Sequence, residues 1–349
     1  MRSETKKLLD WQPEMPPLVN TADGQPRRIG VELEMIGLGV ADVSEIVREL
    51  LGGTLQVESR YEHFVKGDEA GDWGVELDYA YLKERGRAAA DDEDAEEDDD
   101  GDDELQVLID DAAESLLRIG AEAVVPVEVV SPPLPLARLT DIQQLIVILR
   151  DAGAEGSGAG LTYAFGMQFN PELPGLDAKT VTSYLKAFFC LYDWLMQRSK
   201  VDMTRRLSGF SAAFPASYIS KVVATDYWPD QDTLIDDYLE ENPTRNRALD
   251  MLPLFLHLDK DRLRAVVDDP RVKPRPTLHY RLPNCEIDRA DWGVHLAWND
   301  WLQVEQLACD EARLSEVCAA YSEWLDKPLA RLFDNWAEEL TRRIETPGT

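Results

Sequence analysis

The sequence predicts an α+β fold: a mostly antiparallel sheet backed by helices, with a helical C-terminal part. Three observations point there. Runs with strand-like alternation cluster between residues 28 and 170, apolar residues at helical spacing dominate from residue 177 onward, and one strand-like run returns at 276–284. No internal repeat interrupts this order.

The first 26 residues are rich in Pro and polar side chains and are expected to lie as an arm on the body. The run from Arg27 to Met35 follows as a strand, with Ile29, Val31, Leu33 and Met35 on one face and Arg28, Gly30, Glu32 and Glu34 on the other. Asp42 to Leu51 has the spacing of a helix (Val43, Ile46, Val47, Leu50, Leu51) and stops at Gly52-Gly53. Leu55 to Phe64 reads as one strand and Trp73 to Leu82 as the next, with a turn over Asp68 to Asp72. Residues 86–104 are acidic and of low complexity, and a disordered loop is expected there. Thr140 to Ala152 is an amphipathic helix burying Ile142, Leu145, Ile146 and Leu149, and a Gly-rich turn at 155–160 leads into a strand over 161–170. Thr180 to Met203 predicts one long buried helix, 231–269 short helices broken by Pro243 and Pro253, Pro276 to Asn284 a strand, and 298–309 and 310–344 closing helices. Trp298, Trp301, Trp324 and Trp336 on these last helices suit internal packing or an interface between subunits.

The chain of 349 residues is 44% hydrophobic, ample for a sizeable core. Its formal net charge is −31, and twelve acidic residues lie in 91–104 alone. Such a balance argues against nucleic acid as a partner, because phosphate backbones select Lys and Arg, and against anionic membranes. The four cysteines show no C-x-x-C spacing, so neither a zinc site nor a disulfide framework is expected. The N-terminal residues form no apolar signal segment and no run nears the ~20 apolar residues of a membrane span, so a cytoplasmic location is expected.

Four polar clusters sit on or beside predicted strands. Glu32 and Glu34, two residues apart on one strand, point the same way and repel unless a cation lies between them. Hard divalent ions such as Mg²⁺ suit them, and a simply solvated sheet face is the other reading. Glu128 stands in the β-branched run Val127-Glu128-Val129-Val130 before Ser131-Pro132-Pro133, where a buried carboxylate needs a partner. Gln168 and Asn170 share a face in Gly166-Met167-Gln168-Phe169-Asn170. His279 and Arg281 share one in His279-Tyr280-Arg281-Leu282-Pro283-Asn284, where the guanidinium could clamp phosphate or carboxylate oxygens. Arg205-Arg206 form a weaker candidate anion clamp.

In this order, G-V-E-L-E, W-G-V-E-L-D, E-V-V-S-P-P-L, an amphipathic helix, G-x-Q-x-N and a late R-x-x-N strand, the chain resembles the amidoligase family. That family belongs to the glutamine synthetase-like carboxylate–amine ligases, and the resemblance runs from about Arg28 to Asn284. It implies an open, curved antiparallel sheet whose concave face holds ATP, Mg²⁺ and a carboxylate substrate. Its domain reading is an arm at 1–26, a ligase-like catalytic domain at 27–290 interrupted by the acidic loop, and C-terminal helices at 291–349 packed on the same domain. Carried over by motif, Glu32, Glu34 and Glu128 would hold metal with Gln168, and Asp78 matches the acidic end of the W-x-x-x-x-D strand. Arg281 would face the nucleotide phosphates, and Asn170 and Asn284 would orient the nucleotide or an acyl phosphate. Arg281 and Glu128 are the implied catalytic residues.

The family usually carries G-L-H-V-H where this chain has Gly166-Met167-Gln168-Phe169-Asn170, so both histidines are replaced by amides. Amide oxygens can ligate Mg²⁺ but cannot relay protons. The resemblance thus implies ATP-dependent amide or peptide bond formation from a small-molecule or peptide carboxylate and an amine. A glutamate–cysteine ligase-type activity, a non-catalytic nucleotide- or peptide-binding relative, and a phosphagen-type kinase using Cys285 are the competing readings.

Overall fold

A computed structural model describes residues 2–78, 125–157, 165–199, 212–327 and 335–345. In chain order these form α1 (Arg2–Leu9), β1 (Arg28–Met35), α2 (Val40–Leu51), β2 (Thr54–Ser59), β3 (Glu62–Asp68), β4 (Gly71–Leu77), β5 (Val127–Val130), β6 (Leu134–Pro135), α3 (Leu139–Ala152) and β7 (Met167–Pro171). There follow α4 (Ala178–Arg198), α5 (Ala216–Val223), α6 (Gln231–Glu241), β8 (Leu249–Asp250), α7 (Leu252–Leu258), α8 (Lys260–Arg264), β9 (His279–Tyr280), α9 (Val294–Cys309), α10 (Glu311–Leu325) and α11 (Trp336–Glu345). The nine described strands make one open sheet in the order β2-β3-β4-β5-β1-β7-β9-β8, with β6 pairing a further part of β1. Every pairing between them is antiparallel. The α+β class expected from the sequence is the one observed.

β1 lies at the centre and its period of two is realised in full. Ile29, Val31, Leu33 and Met35 are buried, whereas Glu32 and Glu34 on the opposite face stay half-buried. α2 lays Val40, Val43 and Val47 toward the core and packs against β3, β4 and α3. It ends where two glycines let the chain reverse: Gly53 has φ +91, and a Cβ there would stand 2.3 Å from the Lys66 carbonyl. α3 buries the four residues expected of it and packs against α9, which in turn packs against α4.

α4 is the main beam of the helical layer. Asp177 caps it by accepting from the Thr180 amide, and Leu185, Phe188, Phe189, Leu191 and Leu195 are buried along its length. Phe188 and Phe189 meet Phe214, Tyr218 and Tyr280 in a chain of edge-on aromatic contacts. Tyr280 also lies 5.0 Å from Trp301, so the neighbouring His279 and Arg281 turn the other way, toward the face that carries Glu32. Trp298, Trp301 and Trp336 are all buried inside the molecule.

Several boundaries differ from the sequence expectation. The single strand expected over 55–64 is a hairpin, β2 and β3, whose turn at Ser59–Glu62 contains no Gly, Pro or Asn and is closed by the Ser59 hydroxyl accepting from the Tyr61 amide. Pro253 does not break a helix but sits in the first turn of α7, where its missing N–H costs nothing. The late strand is cut to the two residues of β9, with single bridges at Thr277 and Asn284 on either side. The arm contains a short helix, α1, and the helix expected over 310–344 is described as α10 and α11. The acidic loop at 86–104 and the Arg205-Arg206 pair lie outside the described residues, as do residues 200–203 of the helix expected over 180–203, of which α4 is described to Arg198. Among the described residues no helix is long and apolar enough to cross a membrane.

Candidate active site

Strand register turns dispersed acidic residues into a row. Glu62 of β3 stands opposite Glu76 of β4, Glu76 opposite Glu128 of β5, and Glu128 opposite Glu34 of β1. Directly opposed residues in such ladders lie about 4.5–5.5 Å apart at the Cα atoms, so four carboxylates run across the sheet on one face. No hydrogen bond or ion pair to a described residue neutralises Glu76 or Glu128. Burial pushes the Glu76 carboxyl up to about 7, helped by the charges of Glu62, Asp78 and Glu32. Burial also drives Glu128 well above the usual carboxylate range, reinforced by Glu32, Asp78, Glu34 and Glu76. Asp78 thus lies beside the row, as the sequence motif implied.

Glu32 is handled differently. Burial works to raise its pKa, but the neighbouring His279, Arg275 and Asn170 prevail and hold it well below the usual range. Its Oε1 accepts from Asn170 Nδ2 at 2.8 Å and lies 3.7 Å from Arg275 Nη1, while His279 Nε2 stands 3.8 Å from Oε2. Glu34 accepts from Gln168 Nε2 at 2.6 Å and from the Gly166 amide at 2.7 Å. Gln168 therefore has both ends engaged, since its Oε1 meets His279 Nε2 at 2.7 Å. Gln168 and Asn170 are thus donors to the two glutamates of β1. Among the described residues Asn170 Oδ1 has no hydrogen-bond partner, although it is buried.

The opposite side of the face is cationic. Arg281, buried, donates from Nε to His279 Nδ1 at 3.4 Å, and Asp250 Oδ2 lies 3.5 Å from the same nitrogen. Arg245 comes from the loop before β8, makes no ion pair with a described residue, and has its pKa lowered by burial and by the nearby charges of Arg281 and Arg271. Asn284 bridges to Gly166 and donates to the Ser199 carbonyl at 3.2 Å, at the far end of β7 from Asn170. Of the residues expected from the sequence, Glu32, Glu34, Gln168, Asn170, His279 and Arg281 form one connected network, and Glu128 joins it across the ladder.

The donor set suits a hard divalent cation. Glu34, Glu76 and Glu128 offer oxygen only, and among the described residues Glu76 and Glu128 have no hydrogen-bond or ion-pair partner. Among the described residues no three His, Cys, Asp or Glu side chains are already gathered about one point as metal ligands. Five of these residues, Glu62, Glu76, Asp250, Arg245 and Arg275, were not singled out from the sequence. Glu76 was within reach, because W-G-V-E-L-D alternation sets it on the same side as Asp78. Arg245 and Arg275 come from aperiodic loops and carried no signal.

No curated protein and no solved structure matches the chain. A family model described as "Putative amidoligase enzyme" matches residues 25–303, from the residues just before β1 to within α9. That span contains every strand of the sheet and every residue of the network above, and on it the chain belongs to the amidoligase family.

Proposed function

We propose that this protein is an ATP- and Mg²⁺-dependent carboxylate–amine ligase that forms an amide bond through an acyl phosphate, on a glutamine synthetase-like sheet. The observation that carries the reading is the division of the site into a row of opposed carboxylates, in which Glu76 and Glu128 have no neutralising partner among the described residues, and a cationic side with Arg281 and Arg245. A carboxylate is a poor acyl donor at neutral pH because oxide is a bad leaving group. Phosphorylation by ATP supplies phosphate as the leaving group, and the enzyme's part is positioning and charge neutralisation.

Glu34, Glu76 and Glu128 would hold Mg²⁺. Bound there, the ion would offset the charge of the phosphate oxygens. Arg281 and Arg245 neutralise the transferred phosphoryl group and the substrate carboxylate from the other side. Glu32, kept ionised by His279, Arg275 and Asn170, anchors the cationic side in place. Gln168 fixes the rotamer of Glu34 and the orientation of the His279 ring together. Cys285 is fully buried, which removes the support for a kinase reading.

ADP release from Mg·ATP with pooled amino acids and short peptides tests this directly. Acceptor-dependent ADP should fall by roughly 10²-fold or more in Glu128→Gln, with the melting curve still cooperative. Unchanged turnover in that variant would sink the metal assignment.

A further inference from the structure

The cysteines of this chain have no spacing that pairs them, and all four are free thiols. The fold brings two of them together. Cys190 on α4 and Cys318 on α10 lie 128 residues apart in sequence, yet their sulfurs stand 3.6 Å apart where the two helices pack. Both belong to the apolar core. A disulfide needs its sulfurs at about 2.05 Å, so a short approach separates this pair from a bond.

Two features set the contact apart from ordinary core packing. The first is a cation. Lys186, one turn before Cys190 on α4, is buried, donates from Nζ to the Ala224 carbonyl at 2.5 Å and lies 4.8 Å from the Trp228 ring centre. Burial lowers its pKa, while the two sulfurs and Asp226 favour its charged form. In return, a hydrogen bond from Cys190 and the Lys186 charge hold the Cys318 thiol below its ordinary value against the effect of burial. Burial pushes Cys190 the other way. Cys318 is therefore the member that ionises, and Cys190 the one that keeps its proton. The second feature is a way in. Ala319, next to Cys318, and Ala224, the partner of Lys186, wall a cavity of about 410 Å³ together with Ser220, Ser322 and Asp226. That space admits a small peroxide beside the helix turn that carries Cys318.

We propose that Cys190 and Cys318 are a peroxide-sensitive pair, primed by Lys186, whose oxidation to a disulfide staples α4 to α10. The Cys318 thiolate attacks one oxygen of hydrogen peroxide, the O–O bond breaks, and a sulfenic acid and hydroxide are left. The Cys190 sulfur then attacks the Cys318 sulfur and expels the second hydroxide. The protons of the two thiols turn both hydroxides into water, and two electrons pass from the sulfur pair to the peroxide. The staple lies behind the candidate site: Phe188, two residues before Cys190, meets Tyr280 of β9 edge-on at 6.2 Å.

Exposure of the full chain to hydrogen peroxide under native conditions, then alkylation of the remaining thiols in denaturant and peptide mapping, tests this. The expected product has lost two hydrogens, carries one crosslink between the Cys190 and Cys318 peptides, and returns to the free thiols in dithiothreitol. It should melt roughly 5 °C or more above the reduced chain, because the link closes a 128-residue loop in the unfolded state. Lys186→Met should slow crosslinking roughly tenfold without changing which cysteines pair. In concentrated urea short loops win, Cys309 with Cys318 first, so the preference for Cys190 should disappear. Full alkylation of both thiols after peroxide, oxidation of Cys318 beyond the sulfenic acid with Cys190 still free, or an equal Cys190–Cys318 yield in urea overturns the proposal. So does an unchanged crosslinking rate in a folded Lys186→Met.

Discussion

Glu76 and Glu32 are both glutamates on one sheet face, yet their surroundings push them in opposite directions. Glu32 has three partners and stays ionised; Glu76 has burial and three negative neighbours, and its carboxyl rises to about 7. Between the ordinary value of 4.5 and about 7 the folded chain holds more protons than the unfolded one, so this residue's contribution to stability falls as pH rises through that window. Glu76→Gln should therefore stabilise the protein at pH 8, by up to roughly 3 kcal/mol on the scale of 1.36 kcal/mol per pKa unit, and change little at pH 5. Thermal melts at the two pH values check this; an equal gain at both would place the stress elsewhere. Legibility at this scale followed the strands. Glu32, Glu34, Gln168 and Asn170 were readable because alternation alone puts them on one face, and the network between them needed only that face to be shared. Arg245 was not, since Pro243-Thr244-Arg245-Asn246 has no period and a lone arginine in so acidic a chain reads as a surface pair.

At the scale of elements, patterning worked where an element is long and one-sided. β1, α2, α3 and α4 were found within a few residues because each sorts apolar from polar side chains at a constant period. The β2–β3 turn was missed because Ser59 supplies through its hydroxyl what Gly or Asn usually supplies through backbone freedom. β9 was overestimated because strand composition extends further than its hydrogen-bonded partners do. The start of α4 offers a clean test of a local signal. Asp177 accepts from the Thr180 amide at 3.0 Å and from its hydroxyl at 2.7 Å, so Asp177→Ala should cost about 1 kcal/mol of stability in urea unfolding. No loss would mean that packing alone sets this helix end.

Over the whole molecule, one buried charge pair ties the beginning of the sheet to the helices that follow it. Arg27 gives Nη2 to Glu305 Oε1 at 2.7 Å and Nη1 to Oε2 at 2.9 Å, and also donates to the carbonyls of Leu18 and Glu172. Tyr184 of α4 and Trp301 of α9 complete the shell around Glu305. Breaking such a pair strands a charge, so Arg27→Met should lose about 3–5 kcal/mol, while Arg27→Met with Glu305→Leu should recover much of it. Urea titrations of the three proteins decide whether the pair or its packing matters. The central place of β1 has a further consequence, for biogenesis. Its partners β5, β6 and β7 come from residues 127–171, so on the ribosome this strand is made before any strand that pairs with it. Until Pro171 has emerged, Ile29, Val31, Leu33 and Met35 belong to a strand with an open edge, a segment of the nascent chain that a chaperone would have reason to cover.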